Sequence, residues 1–402
     1  MTPIDSSRFR ALCSAVSSFH AGVVSEEDVR HLLEAVIQGQ WWGVNIVGLT
    51  KDGDAVARIR AKIITDLNKA IFDLPWNLAV HFPLRKMDLG GCGEWKLGKS
   101  ITLISLPYEE QGALLQAKPP GEFEQSLEDA ELKANHALLA LLESRQSEAR
   151  LVVQVRGYAS RSGHSSGLSR AISQAKLCFY FFSRMFVVRE NLTYETRPAF
   201  YVVNDKATAF DLPHSVAKFC AQLQQKKVVQ YLASGRPARA TAVTIAQRRT
   251  EMEAQFEAIR RFFECGDHAD FPAISAAMEW YCDSITNENQ TFAYLSACIG
   301  LEALLGNDDP SQRMDGLSAR LSDRYGFLLG TGRVERDLLS RKFRKMLDLR
   351  GTLVHARRER LAPHEQIPLQ NAQMMLAQVI DKELATMLRI SNDASGKVML
   401  PA

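Results

Sequence analysis

The sequence has no apolar run long enough to cross a bilayer. Its greasiest stretch, Leu177 to Val188, is interrupted by Ser183 and Arg184 and predicts a buried amphipathic helix. The first ten residues carry Asp5 and no apolar core, so no signal peptide is expected there. Cysteine patterning is missing as well. The seven cysteines (13, 92, 178, 220, 265, 282 and 298) form no CxxC pair and have no histidine at ligand spacing. That argues against a disulfide frame or a zinc site and for reduced thiols. A large charge excess is also absent: 49 Lys plus Arg stand against 46 Asp plus Glu, a formal net charge of +3. A uniformly basic nucleic-acid coat and an acidic disordered tail are thereby excluded. The expectation is a cytoplasmic protein without a membrane segment.

What is present is 402 residues of ordinary globular composition, enough for two or three domains. The fold class expected is α+β: a mixed module over 1–205, followed by an all-helical region over 206–402. In the first part, Ser25 to Asp28 has the form of a capping box opening a helix with Val29, Leu32, Leu33 and Val36 on one face. Val56, Ile59, Ile63, Leu67 and Ile71 repeat that spacing. Residues 78–89 and 94–106 predict a hairpin around Gly90–Gly93, 127–146 a helix, and 150–158 and 198–203 strands. From about 212 onward strand signals stop. Helices are expected near 212–233, 240–264, 270–286, 290–305, 312–329, 333–356 and 366–389. Pro272 just after Asp270 marks one helix start, and Gly306 one helix stop.

Charge is segregated inside the near-neutral total. Residues 262–310 hold nine acids and no Lys or Arg, whereas 333–360 hold ten bases and four acids, a local excess of +6. Two readings follow. The acidic helices pack against the basic one and neutralise it, or the basic helix is a track for a phosphate backbone.

That basic helix ends in Leu349-Arg350-Gly351-Thr352-Leu353-Val354-His355. An earlier segment closes on Leu301-Glu302-Ala303-Leu304-Leu305. Together with the intervening segment Leu317 to Leu329, in this order and spacing, they resemble the HEPN superfamily, closest to its ApeA-like branch. The resemblance covers about 120 residues, a core of roughly 268–390, and implies an all-helical domain. Arg–His pairs with four to six residues between them recur by chance, and four occur here. Arg357/His364 and Arg358/His364 are split by Pro363, and Arg261/His268 straddle Gly266. Only Arg350/His355 lies in a continuous apolar-periodic helix preceded by the Glu302 helix.

The chemistry implied is RNA cleavage without a metal or other cofactor. It needs a base for the 2′-hydroxyl, an acid for the leaving oxygen and a cation for the crowded phosphate. Histidine suits the proton transfers and arginine the phosphate oxygens. Five residues on a helix separate the two side chains by about 140° and about 7.5 Å of rise. The resemblance answers this with a homodimer whose two helices form one cleft, with Arg350 and His355 catalytic and Glu302 supporting. Arg341, Arg344, Lys345, Arg357 and Arg358 are candidates for contacting RNA. The implied role is a toxin or abortive-infection effector in antiviral defence, with the 1–205 module meeting a trigger or regulatory partner. The other class is a non-catalytic RNA-binding or assembly module. For single residues the bland alternatives are an Arg350 that only contacts acids of its own domain and a His355 that only faces a helix dipole. Two departures from the family pattern stand out. Gly351 occupies a position that is often polar there, and no Tyr follows His355, which speaks against control by adenylylation of such a residue.

The segment Gly157 to Gly167 sits between a strand and a helix, where phosphate loops lie, but lacks the Gly-Lys-Ser/Thr ending. A surface loop is expected. Trp41, Trp42 and Trp76 are expected in packing rather than as a base-stacking platform.

Overall fold

Ser25 opens its helix as the capping box predicts. The Asp28 N–H donates to Ser25 Oγ at 3.1 Å, and the Ser25 N–H donates to the Asp28 carboxylate at 2.9 Å. The structure is a computed structural model that describes residues 7–21, 23–41, 53–84, 94–106, 148–160, 165–185, 187–188, 199–204, 206–224, 242–306, 316–355, 360–361 and 366–395. The expected helix at 127–146 and the Gly90–Gly93 turn lie outside those residues.

Helices α1 (Ser7–Phe19), α2 (Glu26–Trp41) and α3 (Gly53–Phe72) precede strands β1 (Trp76–Leu84), β2 (Glu94–Lys96), β3 (Ile101–Leu106) and β4 (Glu148–Gly157). Then come α4 (Ser166–Met185), β5 (Val187–Val188), β6 (Ala199–Val203), β7 (Lys206–Phe210), α5 (His214–Gln222) and β8 (Leu223–Gln224). The remaining described elements are helices: α6 (Ala242–Glu264), α7 (Phe271–Thr286), α8 (Gln290–Leu305), α9 (Leu317–Leu329), α10 (Arg333–Val354) and α11 (Gln366–Ser395). The architecture is α+β with a helical C-terminal region. No described helix is long and apolar enough to cross a membrane.

The larger sheet has six strands in the order β2-β3-β4-β1-β6-β7, and β5 pairs with β8 separately. The expected hairpin is corrected here. The turn that closes lies at Leu97–Ile101, where the Leu97 and Gly98 N–H groups both donate to the Ile101 carbonyl. Strand β1 pairs instead with β6, antiparallel, with Val80 opposite Tyr201. The reason is burial: β1 is covered on both faces from Val80 to Leu84, which suits an interior strand. Strand β7 was not anticipated. Val203 pairs with Lys206 across a two-residue connection, and Asn204 adopts φ 48° there, a left-handed conformation asparagine tolerates. The helix expected at 212–233 is shorter, because Leu223 and Gln224 pair with Val188 and Val187.

Contact compactness divides the chain into two units, each discontinuous in sequence. The first comprises Met1–Pro83, Leu103–Gln174 and Thr196–Pro213; the second comprises Leu84–Thr102, Ala175–Glu195 and His214–Ala402.

In the first unit Cys13, Val24, Val29, Leu32, Leu33, Leu74 and Tyr158 form a buried cluster, with Trp76 packed against it and its ring 5.1 Å from that of Tyr158. Asp28, only 2% exposed, uses its second carboxylate oxygen to accept the Ser166 N–H at 3.1 Å. The N-terminus of α4, the one place where a phosphate loop would act, is thus already occupied by an internal carboxylate. Gly167 is required by the same contact region, since a Cβ there would lie 2.6 Å from the Tyr158 carbonyl oxygen.

On the opposite face of β1, His81 stacks on Phe200 with centroids 4.4 Å apart, and the buried Arg150 guanidinium lies 4.7 Å over the same ring. Burial, and secondarily the Arg150 charge, pushes the His81 imidazole down to about 4.

In the second unit, α4 from Ala175 onward is tied by polar contacts. Lys176 Nζ reaches both Asp283 oxygens at 2.6 and 2.8 Å, and Tyr180 and Arg184 each donate to Asp381 at 2.6 Å. On α6 the apolar positions Met252, Phe256, Ile259 and Phe263 recur at steps of four, three and four; Phe256 and Ile259 are buried, Phe263 is intermediate, and Phe262 joins the core. The Met252 side chain lies outside the described residues.

Two predictions arise from the first unit. Asp28→Ala removes a charged acceptor from two backbone donors and should lower unfolding stability by about 2 kcal/mol, read from urea midpoints. His81 is neutral when folded, whereas the unfolded chain takes up a proton from about pH 6.5 downward. Stability should therefore be complete above that pH and fall between about 6.5 and 4, by at most about 1.4 kcal/mol per pH unit. The difference between wild type and His81→Leu in urea melts at pH 7 and pH 5 isolates this contribution.

Candidate functional site

Helix α8 begins at Asn289, whose side chain accepts from the Thr291 and Phe292 N–H groups at 3.0 and 3.3 Å. It is apolar nearly all round, with Ala293, Tyr294, Ala297, Cys298, Gly300, Leu301, Leu304 and Leu305 buried, so neighbouring helices enclose it. Gly300 permits the closest approach: a Cβ there would lie 2.8 Å from Leu376 of α11 and 3.1 Å from Trp280 of α7. Glu302 is the single charged residue of α8.

Helix α10 meets α8 along a strip built from Tyr294, Cys298 and Glu302, which follow one another every fourth residue. Tyr294 Oη donates to the Met346 carbonyl at 2.7 Å, one helical turn before Arg350. Higher along the strip, Arg350 Nε lies 3.2 Å from Glu302 Oε1, and its Nη2 lies 3.4 Å from Oε2. This is an ion pair supported by one long hydrogen bond, from Nη2 to Oε2, with the two side chains 32% and 26% exposed. Glu302 engages one edge of the guanidinium, and the remaining N–H groups have no other partner among the described residues. Burial pushes the Cys298 thiol up to about 12, with the Glu302 charge adding in the same direction, so it is a packed thiol rather than a nucleophile.

His355 is the C-terminal cap of α10. Its N–H donates to the Gly351 carbonyl at 3.0 Å, and its side chain is exposed without a partner among the described residues. The helix is unbroken from Arg333 to Val354, so Gly351 does not distort it. A Cβ at Gly351 would meet no described atom within 4 Å. Arg350 turns toward α8, and His355 lies about 140° around the helix from it. One chain does not bring the two side chains together.

The remaining sequence-predicted residues separate. Arg341, Arg344 and Lys345 are all exposed on α10. Arg344 pairs with Asp323 of α9 at 3.2 Å, while Arg341 Nε donates to the Asp337 backbone carbonyl at 3.2 Å. Among the described residues, only Arg344 and Arg350 of α10 carry an ion pair to an acid. Arg357 and Arg358 lie outside the described residues.

Two acids of the acidic segment pair with bases outside α10. Asp283 pairs with Lys176, and Glu288 faces His214 and Lys218 at 3.2 and 3.9 Å. Glu302 pairs with Arg350 of α10. Among the described residues, the two segments share the Glu302–Arg350 pair, and Arg344 is compensated instead by Asp323 of α9. The tie from Tyr294 to Met346 was missed by the sequence reading; its only signal was the i, i+4, i+8 spacing of Tyr294, Cys298 and Glu302. No group of three or more metal-ligating side chains converges among the described residues.

No family model, curated protein or solved structure matches the chain. The open space at Gly351 makes a specific prediction. Gly351→Ala should stabilise the protein by up to about 1 kcal/mol through helix propensity, visible as a raised thermal midpoint.

Proposed function

We propose that this protein is a metal-independent endoribonuclease of HEPN type, a cytoplasmic toxin or abortive-infection effector. Its catalytic groups are Arg350 and His355, combined with those of a second copy in a dimer cleft. The observation that carries this reading is the Arg350–Glu302 pair. It holds a guanidinium by one edge, part-exposed, on a helix whose other cations mostly lack acid partners. A guanidinium fixed in that way is preorganised for phosphate oxygens, because little side-chain freedom is left to lose on binding.

In this reaction an imidazole accepts the proton of the 2′-hydroxyl, and that oxygen attacks the adjacent phosphorus. The P–O5′ bond breaks, the 5′-oxygen takes a proton from an imidazolium, and the products are a 2′,3′-cyclic phosphate and a 5′-hydroxyl. Arg350 offsets the charge that builds on the non-bridging oxygens. The angle of about 140° between Arg350 and His355 is the reason for invoking two copies: His355 of one chain completes the site begun by Arg350 of the other. In-line attack needs a flexible backbone, so the substrate is single-stranded or loop RNA. The 1–205 region meets the trigger or regulatory partner.

The test is incubation of the purified protein with RNA in excess EDTA. Cleavage should persist, and Arg350→Ala and His355→Ala should each lower its rate by about a hundredfold or more. RNA binding with no cleavage, unchanged by His355→Ala, would instead establish a non-catalytic RNA-binding or assembly module.

A further inference from the structure

Phe327, near the end of α9, leaves 65% of its surface exposed. A lone exposed aromatic is common and means little. This one differs because one face of its ring is occupied by a fixed cation. The Arg336 guanidinium carbon lies 4.7 Å from the ring centroid, and Arg336 Nε donates to the Gly330 carbonyl at 3.0 Å. Two glycines make room for that arrangement. A Cβ on Gly330 would lie 2.7 Å from Arg336 Cγ, and one on Gly326 would lie 2.8 Å from the Arg336 carbonyl oxygen.

The ring also lies on the face of α9 that meets Arg344 of α10. Asp323 precedes Phe327 by one turn on the same face of α9 and contacts Arg344 of α10. On α10, at 100° per residue, Arg341, Arg344 and His355 fall within about 60° of one another. From Arg336 to His355 the helix rises about 28 Å. Cations with an exposed aromatic at one end form the combination that takes a single strand. Phosphates follow the charges, and an unpaired base offers the flat face that an aromatic ring requires.

We propose that Phe327, backed by Arg336, is a base-stacking platform that seats an unpaired nucleotide of single-stranded RNA at the far end of the α10 track from His355. The platform rests on the RNA reading given above and adds to it a binding residue and a single-strand requirement. Phe327 belongs to no motif that marks it in the sequence.

The experiment uses the full-length protein and a single-stranded oligonucleotide carrying 2′-O-methyl groups, which removes the attacking hydroxyl, with 5-iodouridine as a photo-crosslinking base. Wild type should bind and crosslink at Phe327, mapped by mass spectrometry, and the same sequence as a duplex should not crosslink there. Phe327→Ala should weaken binding about tenfold, the loss of one stacked base, and Phe327→Trp should restore it. Binding by wild type with crosslinks elsewhere and no effect of Phe327→Ala overturns the platform and leaves the RNA reading standing. No RNA binding by wild type overturns the RNA reading and the platform with it. Unchanged RNA binding with an altered monomer–dimer balance in Phe327→Ala overturns the platform by making the ring a protein contact.

Discussion

Helix α8 is packed so closely between α7 and α11 that a Cβ at Gly300 would press on Leu376 and Trp280. The rest of the helical unit depends on that constraint. A helix enclosed on those sides has one strip left, and Tyr294, Cys298 and Glu302 occupy it. The hydroxyl of Tyr294 fixes the height of α10 by holding the Met346 carbonyl, and Glu302 then meets Arg350 one turn later. Shifting α8 would move the carboxylate away from the guanidinium, because nothing on α8 other than Glu302 can balance a charge. The ion pair itself contributes little stability, since both side chains are part-exposed. Its consequence is orientation.

Charge balance follows from the same geometry. Asp283 of α7 and Glu288 before α8 are turned toward Lys176, His214 and Lys218. They are therefore unavailable to α10, which runs past α8 with its cations facing outward. A chain of net charge +3 can carry a basic surface in this way without being a basic protein. Arg350 and His355 sit on different sides of that helix, which is a direct result of five-residue spacing and not of any distortion at Gly351.

How much was legible in the sequence differs by kind of feature. Local rules carried far: the reciprocal Ser25–Asp28 cap, Pro272 inside the first turn of α7 and the stop at Gly306 all act where the sequence places them. Strand pairing carried less. The stretch 78–89 has the composition of a hairpin arm, yet β1 pairs with β6 more than a hundred residues away. Burial on both faces demanded neighbours that no local pattern names. The short β5–β8 pair likewise ended a helix early for reasons lying some thirty-five residues away. The candidate residues were legible as a set of types in order, and in the structure Glu302 pairs with Arg350. The Phe327–Arg336 stack was not, because an exposed phenylalanine has no spacing that marks it.

The sequence by itself determined the α+β class, the helical C-terminal region, the segregation of charge and the identities of Glu302, Arg350 and His355. These depend on periodicity, caps and composition, which act over a few residues. Tertiary structure alone decided which charges cancel. Coulomb attraction falls with distance, so only packing selects the acid that reaches a given base. It brought Glu302 to Arg350, took the other paired acids elsewhere, put Asp28 at the start of α4, and left most of the α10 cations without acid partners among the described residues.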